Sequence, residues 1–455
     1  MKKCAPFLLL LLLPAFAAGQ YMAFPPTGNQ SSFDGGVGMT WIDNQAYYSI
    51  NLQPDIALGK VGIGLNVNLL YNTSSGKFYS QDWENRRTGK TDWLRIIRYV
   101  RYGIKGDPVY GRVGALDVER IGHGFILNFY NNQIAYEDRK TGLSFDVDGG
   151  LAGFESMTNS LERLGVVGGR LYVRPLWNSE IPILKRLAFG ATMARDTDPD
   201  SRRSTKDGVS VWGADVELPL LKSSALTTMV YADHAQIVDY GSGQTLGLRT
   251  DLNTLWGFLG LSFNVERRFM GKEFVAPYFG PFYEMLRHTT LNEVRDYFSL
   301  IGGDPAGIPA GLAAAPSDTL ISQNHLLSML SESRNAWYGA LDLNFFKLIH
   351  TVGSFQKVDK FGNSGTLHLG AGLSPNIPVL SVEAAYDKRG IGTFKDIRTL
   401  DARSVARVGV GYKMKPYLML YMDYIWNFVW DEGLQAYKPQ ERIQPRVAFR
   451  FPFEV

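Results

Sequence analysis

Apolar and polar positions alternate along most of this chain, most cleanly at its end. In Arg446-Val447-Ala448-Phe449-Arg450-Phe451-Pro452-Phe453-Glu454-Val455 every odd position is apolar and every even one is charged, small or proline. Successive side chains on a strand point to opposite faces, so this segment predicts a strand with an aromatic stripe on one side and Arg446, Arg450 and Glu454 on the other. Such a stripe needs either a covering layer or lipid. A transmembrane β-barrel, with lipid outside and water inside, supplies the second.

The pattern recurs. Ile50, Leu52, Pro54, Ile56 and Leu58 face one way, with Asn51, Gln53 and Asp55 opposite; after Gly59-Lys60, Val61, Ile63, Leu65, Val67, Leu69 and Tyr71 alternate with small or polar residues. This spacing predicts a hairpin with a two-residue turn. Further strands are expected around Gly106-Asp107, at 143–148, 168–174, 186–193, 212–218, 226–233, 259–266, 337–345, 367–373, 380–387, 406–412 and 418–426. The fold class predicted is all-β, an antiparallel transmembrane barrel of about 16–22 strands, with 18–20 favoured and an even number expected. Short joints (Gly59-Lys60, Gly106-Asp107, 222–224, 374–378, 413–416) alternate with longer polar ones near 72–92, 195–207, 288–334, 388–403 and 428–443. That asymmetry predicts short periplasmic turns and long outer loops.

One segment breaks the β period. Thr290-Leu291-Asn292-Glu293 has capping-box spacing, and Leu291, Val294, Phe298 and Ile301 recur at helical intervals before Gly302-Gly303. A second helix is expected from Ser317 to Leu330. The 288–334 loop is therefore partly helical, either a constriction or cap at a pore mouth or a surface decoration.

Composition changes the picture in one respect. Hydrophobic residues make up 45% and aromatics 13%, with 48 glycines, yet mean hydropathy is only −0.11. Beyond the N-terminus no apolar run reaches the roughly twenty residues of a spanning helix. Alternating lipid-out, water-in strands reconcile the two. At the N-terminus, Lys2 and Lys3 precede an apolar run from Ala5 to Phe16 and the small residues Ala17, Ala18 and Gly19. This is signal-peptide grammar, with cleavage after Ala17 or after Gly19 both compatible with it; residues 1–19 are taken as the signal peptide and 20–455 are expected to form the barrel. Cys4, the single cysteine, falls in that segment outside any lipidation box, which leaves no disulfide or cysteine metal site in the remainder. Formal charge is +3, or +1 without Lys2 and Lys3, giving no case for nucleic acid.

With apolar residues assigned to lipid, parity assigns the lumen. Arg101 and Arg112 are expected directly across from each other, alongside Tyr99, Tyr110 and Gly114. Arg170, Tyr172, Arg174 and Arg186 follow, and Arg407, Lys413, Arg446 and Arg450 come near the C-terminus. Asp215, Glu217, Glu266, Asp342, Glu383 and Asp387 are inward and acidic. The expectation is a basic arc facing an acidic arc, interrupted by Asp146, Asp148, Asp423 and Glu454. Opposed arcs would orient dipolar or charged solutes at little net charge. The alternative is that these charges pair with neighbours and fill a small lumen.

The terminal aromatic strand, the alternating hairpins and the signal peptide together resemble Gram-negative outer-membrane porins and related channels. That resemblance implies a channel for small hydrophilic solutes, with Arg101, Arg112, Arg170, Arg174, Asp215, Glu217, Arg407, Arg446 and Arg450 lining it. It implies no enzyme activity and no cofactor. It also implies contact with outer-membrane lipid and lipopolysaccharide, and handling by the barrel-assembly machinery. Chains of that class usually end in an aromatic residue, whereas here Phe453 is followed by Glu454 and Val455. A transporter of hydrophobic compounds, with 288–334 shaping a greasy pocket, and a closed barrel serving as surface scaffold or adhesin are the alternatives.

Other candidates are weaker. Asp196, Asp198 and Asp200 alternate like a calcium loop, but Ser201 stands where its glycine belongs and Asp207 where its glutamate belongs. Gly122-His123-Gly124 reads first as a flexible loop. Ser364, His368 and Ser381 would need a particular register to approach a hydrolase pair. Phe282-Tyr283 and the aromatics of 417–430 read as membrane girdle.

Overall fold

The computed structural model describes residues 30–85, 89–200, 207–255, 258–374, 377 and 379–454. The expected signal peptide at 1–19 and Ser201 of the calcium-like loop lie outside the described residues.

Twenty antiparallel strands form the wall. They are β1 Gln30–Ile42, β2 Gln45–Leu58, β3 Val61–Leu65 continued by Val67–Asn72, β4 Ile97–Tyr102, β5 Val109–Gly114, β6 Gly142–Asp148 and β7 Ala152–Thr158. Next come β8 Val166–Val173, β9 Ala188–Asp196, β10 Val209–Lys222, β11 Leu226–Ile237, β12 Ser242–Leu255 and β13 Leu259–Met270. The last seven are β14 Arg334–Phe345, β15 Ile349–Val358, β16 Gly365–Leu373, β17 Leu380–Ile391, β18 Ser404–Lys415, β19 Leu418–Asp431 and β20 Ala436–Glu454. Each pairs with its sequence neighbours, and β20 closes on β1 with Val37 opposite Val447 and Asp34 opposite Arg450. Closure leaves no unpaired edge, which a lipid-embedded sheet cannot tolerate.

The outward face is apolar all round. Val37, Leu171, Met193, Leu246, Trp337 and Phe451 are each at least half exposed, and Ile50, Phe189, Trp212, Val265, Val447 and Phe449 are also exposed. A continuous apolar belt of this kind would aggregate in water and is at rest in lipid. Among the described residues no helix is long and apolar enough to cross a membrane. The chain thus takes its place in the class of outer-membrane β-barrels.

The joints segregate as expected. At the end holding the chain termini they are mostly short, for example Gly59-Lys60 and 223–225; at the other end lie 73–96, 115–141, 197–208, 271–333 and 392–403. One expectation needs correction, and one long loop was not expected. The 428–443 joint shrinks to the four residues 432–435, because β19 and β20 stay paired as far as Asp431–Ala436. The 115–141 loop lacked any helical or strand period to announce it.

Both long loops, 115–141 and 271–333, fold inward and pack on each other. Leu127 bridges Phe279, and Ala135 bridges Phe428 of β19. Their side chains join inward wall residues in one apolar core: Leu127, Tyr130, Phe274, Phe279, Val294 and Phe298 press on Ala194, Val211, Ala235 and Ala336. The segment expected to be helical forms α2 Leu291–Leu300, with Thr290 capping it by accepting from the Glu293 amide, and a short α1, Tyr283–Leu286, which the pattern did not announce, precedes it. Glu293 does not complete the box; its carboxylate takes the Thr289 hydroxyl instead. The second expected helix shortens to a 3-10 turn, Gln323–Met329, because Leu320–Ile321 pairs with Thr289–Thr290 and holds the backbone extended.

Candidate functional site

Below the two loops, toward the termini, the barrel encloses a cavity of about 1260 Å³. Its roof is the underside of loop 115–141, including Leu116, Phe129 and Tyr136. It reaches the turn at 103–107 and Pro416 at the termini end. Its walls are heavily charged, with Arg98, Arg101, Arg112, Arg407 and Arg450 facing Asp34, Asp55, Asp146, Asp342 and Glu383 among others.

Arg101 and Arg112 are register partners across β4 and β5. Arg101 donates to the Gly103 carbonyl at 3.0 Å. Arg112 lies 6.0 Å from the Tyr99 ring centre, and its Nε has no hydrogen-bond partner. Arg407 lines the same cavity from β18. No carboxylate stands within ion-pair distance of these three among the described residues.

The other candidates are neutralised locally. Arg450 makes two bonds of 2.7 Å to Asp34, and Arg446 bonds Asp423 and Asn51, each at 3.2 Å. Arg174 holds Asp148 at 2.8 and 3.0 Å near the termini end. Arg170 is buried and grips Asp215 at 2.6 and 3.0 Å and Glu155 at 2.9 Å, with Glu217 at 3.6 Å. The expected basic and acidic arcs therefore interleave: Arg170 of one bonds Asp215 of the other. Gly190 of β9 makes the contact possible, since a Cβ there would stand 2.7 Å from Arg170 Nε. The members of the basic arc that line this cavity outside any ion pair are Arg101, Arg112 and Arg407, with Lys413 nearer the termini end.

Loop 115–141 is anchored to the wall at that network. His123 places Nδ1 2.7 Å from Asp233 and Nε2 3.0 Å from Glu217, and stacks on Tyr231 at 3.9 Å. Burial acts to lower its pKa, but the two carboxylate hydrogen bonds outweigh that and push it up to about 9. The flanking glycines are thus part of a docked turn, and the Gly122 amide donates to Glu155.

Loop 271–333 is anchored by Glu284 of α1, a buried carboxylate. It accepts from the Tyr130 hydroxyl, from Lys140, and from Asn159 at 2.7 Å. Burial opposes its charge, yet Lys140 and Arg287 hold its pKa well below the usual carboxylate range. Arg287 in turn grips Asp196 at 2.6 and 2.8 Å, and Tyr283 donates to the same carboxylate at 2.9 Å. Asp196 therefore points inward, away from a calcium-loop arrangement; Asp198, Asp200 and Asp207 are the carboxylates that cluster. Phe282 and Tyr283, read as girdle, are buried in this plug. Nothing in the sequence pattern flagged Glu284 or Arg287.

Ser364 donates to the Val358 and Phe361 carbonyls, and His368 sits opposite Asp387, to which its Nδ1 lies at 2.7 Å. Ser381 lies along β17 from that point and lines the lower cavity, so the three do not assemble.

No family model matches the chain, and no curated protein does. Among solved structures, OccK8 (OprE) of Pseudomonas aeruginosa shares 10% identity, covering 93% of this chain and 98% of that one, with a TM-score of 0.34. OpdK of the same organism shares 11% over 93% and 99%, TM-score 0.30. Wzi of Escherichia coli, an outer-membrane protein of group 1 capsule assembly described as a carbohydrate-binding β-barrel, shares 9% over 94% and 85%, TM-score 0.36. Likeness at this level carries no argument about solute or mechanism. The class rests on the closed wall and its apolar belt.

Proposed function

We propose that the protein is an outer-membrane channel for small hydrophilic solutes, narrowed at its outer mouth by the two docked loops. The observation that carries this reading is the charged cavity of about 1260 Å³ beneath the plug, with Arg101, Arg112 and Arg407 on its wall outside any direct ion pair. Guanidinium groups held out of direct ion pairs in a confined lumen keep N–H donors turned to passing solutes and bias ion preference toward anions. The opposed-arc field shrinks in this reading to that basic cluster. Export by the 1–19 signal segment and insertion by the barrel-assembly machinery would bring the wall into lipid and lipopolysaccharide, with the long loops outward.

A second reading has its own support. The density of apolar packing between the plug and wall residues such as Ala194 and Ala235 suits a permanently closed barrel that acts as a surface scaffold. Liposome swelling separates the two. Vesicles carrying the folded barrel should swell in isosmotic small sugar or amino acid faster than empty vesicles; swelling no faster than in empty vesicles overturns the channel reading.

A further inference from the structure

Between loop 271–333 and the wall lies a second, smaller cavity of about 70 Å³. Aromatic rings of Phe129, Tyr278, Phe282, Tyr297 and Tyr338 line much of it, and two arginines enter from the wall, Arg334 of β14 and Arg389 of β17. Both are more than nine-tenths buried, at 4% and 7% exposure. Arg389 lies over the rings of Phe282 and Tyr297 at 5.2 and 5.4 Å, which covers its faces and leaves its in-plane N–H groups free. Its Nε and Nη1 have no hydrogen-bond partner, and neither has Nε of Arg334. Arg334 otherwise donates to the carbonyls of Ile301, at 3.1 Å, and Phe274.

No carboxylate stands within ion-pair distance of either guanidinium among the described residues; Glu293 and Asp401 act on Arg389 only from farther off. Asp387 is engaged with His368 and Glu293 with Thr289. Two buried cations with idle donors are costly unless a counter-charge joins them. Waters in a cavity of this size could satisfy donors but would not neutralise charge.

We propose that this cavity is a binding site for one small oxyanion, a carboxylate or phosphate group held between Arg334 and Arg389. The planar guanidinium fork matches both groups, and the volume excludes anything much larger. Arg334 also holds backbone of loop 271–333, and Arg389 stacks on its rings, so a bound anion ties that loop to the wall. The proposal does not rest on the channel reading, and its test does not measure conductance.

The purified barrel in detergent is titrated calorimetrically with acetate, phosphate and chloride, at ionic strength held constant by gluconate, which is too bulky for the cavity. Saturable binding near one anion per barrel is expected, with a rise of several degrees in unfolding midpoint. Acetate against phosphate distinguishes the two anion sources. R389Q should weaken binding at least tenfold. Absence of saturable binding by both acetate and phosphate in the wild type, whether or not chloride binds, or undiminished binding in R389Q, overturns the proposal. Should R389Q fail to fold, the wild-type titration still decides.

Discussion

Replacing Glu284 by alanine should release the inner plug without opening the barrel wall. Its carboxylate is the acceptor shared by Tyr130 and Lys140 of one inward loop and Asn159 of a third joint, while Arg287 of its own loop stands at 3.4 Å. Deleting one partner from such a buried ionic cluster costs about 3–5 kcal/mol, because the remaining groups stay desolvated without their counter-charge. At about 1.4 kcal/mol per decade, the undocked fraction of the plug should rise roughly 10²- to 4 × 10³-fold. Glu284→Gln, which keeps an acceptor for Asn159 and Tyr130, should have a smaller effect. Hydrogen exchange is the direct assay. Amides at 126–130 and in α2 should lose protection, while the paired amides of β10 to β13 keep theirs. Unchanged exchange at 126–130 in the alanine variant would refute the claim that Glu284 docks the two loops. So would a loss of protection that spreads equally through the wall.

Two further outcomes follow from the same anchors. The His123 pKa is raised above its unfolded value, so the protonated ring stabilises docking fully below about pH 6.5, and that stability is lost as pH rises through about 9. A shift of that size is worth about 3 kcal/mol at most, and the protease sensitivity of loop 115–141 should rise between pH 7 and 10 in the wild type but not in His123→Gln. Gly168 of β8 faces the plug, where a Cβ would stand 2.8 Å from Ile121 Cδ1 and 3.7 Å from Leu127 Cδ1. Gly168→Leu should therefore push loop 115–141 off the wall, read as increased labelling of a cysteine introduced at Asn128, with barrel assembly unaffected.

The wall was legible in the sequence and the plug was not, for a physical reason. Lipid outside and water inside impose a strict two-residue period, so parity alone places Arg101, Arg112, Arg446 and Arg450 on one face and Val447 and Phe449 on the other. The capping residue Thr290 was readable because a helix start is a local event. Loop 115–141 has no period, and its contacts come from far along the chain, as in the Leu127–Phe279 bridge. Parity gives the face of each charge but not its neighbour. Arg170 meets Asp215 because Gly190 leaves room between their strands, and no alternation pattern contains that fact. Phe282 and Tyr283 were misplaced for a related reason: an aromatic pair suits a lipid interface and a buried core equally well.

The central claim is that the lumen conducts and that the arginines held outside direct ion pairs on its wall set ion preference. Single-channel recording of the purified barrel in planar bilayers, under a salt gradient, tests it most directly. Discrete ohmic steps are expected, with an anion-biased reversal potential that moves toward zero when Arg101 and Arg112 are both replaced by Ala. Electrical silence from a folded barrel would contradict the channel, and steps with unchanged selectivity in the double variant would contradict the role given to the arginines.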